Sequence, residues 1–84
     1  MSTPHDTQRT AAFSRWVIHV GGLDAAGNLT GISRRTLQRM TVGKQPPPVR
    51  LLERLADQLA RQGGADTLAD ALALAARPAE ATHA

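Results

Sequence analysis

A chain of 84 residues has room for one small domain, and at this size only about 60–65% of the unfolded surface is buried on folding, so every core position counts. The absence of cysteine excludes disulfides and thiolate metal sites, and no apolar run reaches bilayer-spanning length. The net charge of +3 is unevenly distributed: residues 1–62 carry nine Lys and Arg against four Asp and Glu, residues 63–84 carry one against three, and no acid falls between Asp24 and Glu53. Such segregation points to a polyanionic partner.

Phe13 and Trp16 are the only aromatics, and Ala, Leu and Val supply nearly all the remaining apolar content, which favours helices over strands. Residues 1–6 are expected to be a flexible lead, with Asp6 or Thr7 capping a first helix. Their polar character lacks the layout of a secretory signal and predicts a soluble, cytoplasmic protein. Phe13, Trp16, Val17 and Val20 recur at helical spacing, with Arg9, Arg15 and Ile18 on other faces, until Gly21-Gly22 ends the helix. A weaker second helix is predicted from Leu23 to Leu29, its inward face Leu23, Ala26, Gly27 and Thr30.

Thr30-Gly31-Ile32 then makes a tight turn, and Ser33 caps a third helix from Arg34 to Val42. Leu37, Met40 and Thr41 fall on one side of it, Arg35 and Arg39 on the other. Gly43 stops it, and the linker from Lys44 to Pro48 is stiff because consecutive prolines cannot continue a helix but can start one. The fourth helix runs from Pro48 to Gln62 on a stripe of Val49, Leu52, Leu55, Ala56 and Leu59, with Asp57 and Arg61 placed to pair on the wet face. Asp66 is expected to cap a fifth helix lasting to Ala76, which Pro78 closes. The division is thus a domain of four helices over 7–62, a C-terminal helix over 65–77 and a flexible tail over 78–84.

The stretch from Leu23 to Lys44 carries the functional signal. A helix-turn-helix needs a glycine at the sharp turn, an apolar residue just after it, and two more inside the second helix to hold the crossing. Gly31, Ile32, Leu37 and Met40 meet those needs. The outward face must donate hydrogen bonds into the major groove, which Arg34, Arg35, Gln38 and Arg39 can do, since Arg pairs bidentately with guanine and Gln with adenine. Arg50, a cation at a helix start where it opposes the macrodipole, is explained by a phosphate partner.

The run Gly-Ile-Ser-Arg-Arg-Thr-Leu-Gln-Arg from Gly31, the Gly43-Lys44 after it, and the Pro-Pro-Pro-Val-Arg-Leu-Leu opening of the fourth helix resemble the lambda-repressor-like, Cro/repressor group of phage, plasmid and mobile-element regulators. The likeness spans roughly Phe13 to Leu59 and implies an all-α, five-helix fold with a central helix-turn-helix. It implies base reading by Ser33, Arg34, Arg35, Gln38 and Arg39, and backbone contacts by Thr36, Lys44 and Arg50. It further implies a repressor that binds a palindromic operator in double-stranded DNA and controls its own operon; regulation of an anti-defence operon fits the same pattern. Two positions depart from the family: Gly27 stands where Ala is usual, and Thr30 where a large apolar residue is usual.

Two copies are expected, because one recognition helix touches too few base pairs for selective binding. Leu68, Leu72 and Leu74 on the fifth helix are the candidate homodimer interface. His5, His19 and His83 show no metal-ligand spacing, no nucleophile accompanies Asp24, and no phosphate-binding glycine pattern occurs, so neither an enzyme, a cofactor, a metal nor a small-molecule substrate is expected. The alternative is a protein-interaction module of the same fold, an antitoxin or phage inhibitor docking through the fifth helix. It gives no reason for Arg34, Arg35, Arg39 and Lys44 to share one side.

Overall fold

The computed structural model describes residues 4–64 and 66–76. Among them every regular element is helical: α1 (Pro4–Val20), α2 (Leu23–Thr30), α3 (Arg34–Thr41), α4 (Val49–Gln62) and α5 (Asp66–Ala76). None is long and apolar enough to cross a membrane.

Helix α1 starts at Pro4, so residues 4–6 belong to the helix and neither Asp6 nor Thr7 is its cap. Proline suits a first helical position, since its φ is already helical and its missing N–H has no partner to lose there. Asp66 is likewise the first residue of α5 itself and not its cap. The expectations for residues 1–3, for residue 65 and for residues 77–84, the closing Pro78 among them, lie outside the described residues.

The core is built on α1. Ala12, Phe13, Trp16 and Val17 are all buried, Phe13 completely, and the two rings pack at 5.7 Å between centroids with a tilt of 31°. Helix α1 touches all four other helices, while α4 and α5 pair most extensively with each other. From α2 the core takes Ala26, from α3 Leu37 and Met40, and from α4 the predicted stripe of Leu52, Leu55, Ala56 and Leu59. Val49 is only partly buried at its edge. On the wet face of α4 Arg61 Nη2 pairs with Asp57 Oδ2 at 3.1 Å, as the i,i+4 spacing predicts.

Two polar ties fix α1 against α3 and the linker to α4. Ser14 Oγ donates to the Thr41 carbonyl (3.2 Å) at the end of α3, and Arg9 Nη1 donates to the Pro47 carbonyl (3.3 Å) in the linker. Pro47 itself is fully buried, so the proline run is packed as well as stiff.

Helix α5 turns two of the three residues of the expected dimer interface inward. Leu68 and Leu72 are buried among the chain's own core residues, together with Ala69, Ala75 and Ala76; Leu72 is wholly enclosed and Leu68 keeps only an edge at the surface. The physical reason is the size of the domain: α1 and α4 leave apolar surface that only α5 covers. Leu74 alone of the three is exposed, at 59%.

The two leucines therefore separate in stability. Leu72→Ala should lower unfolding free energy by about 2–5 kcal/mol, as removal of a buried leucine does. Leu74→Ala should change it by less than about 0.5 kcal/mol. Urea unfolding followed by circular dichroism checks both, and equal losses would contradict the burial assignment.

Candidate nucleic-acid interface

The site begins with how α2 hands over to α3. Gly31 takes a left-handed conformation (φ 75°) that side-chain-bearing residues rarely adopt, and its N–H bonds back to the Gly27 carbonyl at 2.8 Å. Thr30, one of the two positions at which the resemblance fails, has a role here. Its hydroxyl donates to the Ala26 carbonyl (2.8 Å) and accepts from the Ile32 N–H (3.2 Å), so one side chain satisfies a backbone group on each side of the turn. The other departure, Gly27, lies where α2 comes closest to the turn: a Cβ there would stand 3.3 Å from the Ile32 carbonyl oxygen and 3.7 Å from Leu37 Cδ1.

Ser33 then caps α3 as its position predicts. Its Oγ accepts from the Thr36 N–H at 3.3 Å and donates to Thr36 Oγ1 at 3.0 Å. Leu37 and Met40 anchor the inner face. At the other end the Lys44 N–H bonds to the Arg39 carbonyl (3.0 Å) around Gly43, the long bond of a Schellman motif, and Gln45 N–H shares that acceptor at 3.2 Å. This bond folds Lys44 back toward the helix that precedes it.

The consequence is a surface depression lined by Arg35, Gln38, Arg39, Val42 and Lys44. All five are exposed, and no carboxylate lines it. Arg35, Arg39 and Lys44 form no ion pair among the described residues. Residues 35, 38, 39 and 42 follow helical spacing, so they make one continuous outward stripe.

The remaining predicted contacts stand apart. Ser33 and Thr36 sit in the first turn of α3; Thr36 is half-buried and its oxygen is engaged by Ser33, leaving its own O–H proton to donate. Arg34 is exposed but paired with Asp24 of α2. With side chains 63% and 83% accessible, that pair is worth less than about 1 kcal/mol and exchanges readily for another anion. Arg50 is exposed in the first turn of α4, outside the depression.

Two participants escape a reading of the sequence alone. Val42 is 59% exposed in the depression, and only extending the 35/38/39 stripe by one more turn would have found it. The Asp24–Arg34 pair joins residues ten apart across a turn, where no local periodicity applies. Among the described residues no three His, Asp or Glu side chains come together as a metal site would require. The chain matches no protein-family model, no curated protein and no solved structure.

Loss of the cap at the start of α3 should be measurable. Ser33→Ala should lower stability by about 1 kcal/mol, while Ser33→Asp, which keeps an acceptor for the Thr36 N–H, should retain most of it. Thermal unfolding of the three proteins decides, and an alanine variant as stable as the parent would remove the cap from the account.

Proposed function

We propose that this chain is a sequence-specific double-stranded DNA-binding regulator of lambda-repressor-like type, acting as a dimeric repressor that occupies a palindromic operator and blocks access to it. The observation that carries this is the depression of Arg35, Gln38, Arg39 and Lys44, free of carboxylates, on the outer face of a short helix that follows a tight glycine turn. Three cations without an ion pair among the described residues, and one amide, suit the edges of base pairs and the phosphates beside them. Arg35, Gln38 and Arg39 read bases, with Ser33 and Arg34 at the start of the helix beside them. Arg34 would release Asp24 as it enters the groove. Lys44, Thr36 and Arg50 hold phosphates.

The protein-docking alternative through α5 has little surface to use, because Leu68 and Leu72 belong to the core and only Leu74 of the three leucines is exposed.

Binding should be strongly salt-dependent. With about 6–10 phosphate contacts per dimer, affinity for duplex DNA should fall about 10³–10⁵-fold between about 50 and 200 mM salt. A fluorescence-anisotropy titration that detects no duplex binding at the lower salt would remove the proposal.

Base readers and phosphate holders should also separate. On a duplex selected from a random pool by the protein, Arg35→Ala and Arg39→Ala should each lose about 1–3 kcal/mol and relax preference at particular positions. Lys44→Ala should weaken selected and random duplexes alike. Equal losses on both kinds of DNA for all three variants would refute base reading by Arg35 and Arg39.

A further inference from the structure

We infer that the second copy docks on the surface where the end of α1 meets the end of α2 and the start of α5, centred on Ile18, His19 and Leu29. The inference rests on the DNA-binding reading for why two copies are needed, and moves their meeting place from Leu72 and Leu74 to a surface that Leu68 borders.

The two most exposed large apolar side chains among the described residues are Ile18 (78%) and Leu29 (63%). Ile18 lines a depression with Arg15, His19, Asp66 and Leu68. Leu29 lines another with Trp16, His19 and Val20. His19 borders both, so the two depressions adjoin across it. None of these residues lines the basic depression of α3, so a partner seated here leaves the cations free.

Charge on this surface selects a second copy as the occupant. Arg15 and Asp66 line the same depression and neither forms an ion pair among the described residues. A two-fold contact brings the same patch of each subunit together, so that residue i of one meets residue j of the other, and j meets i. Arg15 of each chain then faces Asp66 of the other, two equivalent pairs at the edge of an apolar centre made by Ile18 and Leu29. A patch with one cation and one anion matches itself, whereas a nucleic acid or a strongly charged protein would find half of it repulsive.

Sedimentation of the full chain without DNA, at rising concentration, tests this. The parent should sediment with the mass of two chains. The double variant Ile18→Glu/Leu29→Glu should sediment as one chain with unchanged helical content, because both positions are exposed. Arg15→Asp alone and Asp66→Arg alone should each weaken self-association at least about tenfold. Their combination, which restores opposite charges across the contact, should recover it, and these variants probe the surface without altering its apolar residues. A parent that stays monomeric, a dimer that survives Ile18→Glu/Leu29→Glu, a dimer that Leu74→Glu dissociates instead, or a charge swap without recovery would each overturn the inference. Because no DNA is present, such a failure leaves duplex binding through the α3 depression standing. A parent that dimerises through this surface yet binds no duplex would overturn that reading alone.

Discussion

The buried face of α1 is the constraint on which the other elements depend. Phe13 and Trp16 supply all the aromatic content of the chain, and both are almost fully enclosed where α1 meets the four other helices. Burying a large side chain of this kind contributes on the order of 1.5–3 kcal/mol, more than a single hydrogen bond at about 1 kcal/mol net. Packing on α1 therefore decides whether the domain folds, while Ser14 to Thr41 and Arg9 to Pro47 decide how α3 and the linker sit once it has. The depression on α3 inherits its position from both. Its inner side is held by Leu37 and Met40, its far end is tied to α1, and Lys44 is folded back by the Arg39 carbonyl.

The turn between α2 and α3 shows how two residues that look like weaknesses support one another. An eight-residue helix with a glycine inside has little intrinsic stability, and glycine costs about 0.5–1 kcal/mol there against alanine. Gly27, however, is where a side chain would crowd the Ile32 carbonyl at 3.3 Å, so the same residue lets α2 lie close to the turn. Thr30 in place of a large apolar residue gives up burial. In exchange its hydroxyl adds a second donor to the Ala26 carbonyl and accepts from the Ile32 N–H, a group just past the helix end that has no place in the helical ladder. Short-range polar bonds here do what hydrophobic contact does elsewhere in the domain.

Most of the fold was legible because the signals are local. Helical spacing of Phe13, Trp16 and Val17, the stripe of α4, the glycine turns and the Ser33 cap are all decided within a few residues of one another, and the structure follows them. The illegible parts depend on distance along the chain. A stripe of leucines looks the same whether it covers its own core or a partner, and Leu68 and Leu72 were settled only by α1 and α4 leaving a face for α5 to cover. In the candidate site Arg35, Gln38, Arg39 and Lys44 converge as their spacing suggests, but Arg34 does not join them, since Asp24 reaches it from the preceding helix. The start of α1 at Pro4 is ambiguous in sequence for a different reason: a proline near a chain end fits an irregular lead as well as a first helical residue.

The charges on α3 are hard to explain by stability alone. Arg35 and Arg39 are four residues apart on one face, an arrangement of like charges that costs an isolated helix about 0.2–0.5 kcal/mol. Lys44 is folded back to the same depression, and the residue between the arginines on that face is Gln38 where a glutamate would pair with either. The acid nearest in sequence, Asp24, sits in the first turn of α2, where it suits the helix dipole, and it neutralises Arg34, the one arginine of α3 outside the depression. Compensation is thus present beside the depression and missing within it. The domain core tolerates this local repulsion because Leu37 and Met40 hold α3 through its opposite face. On the proposed reading, the counter-charge that this surface lacks is the phosphate of DNA.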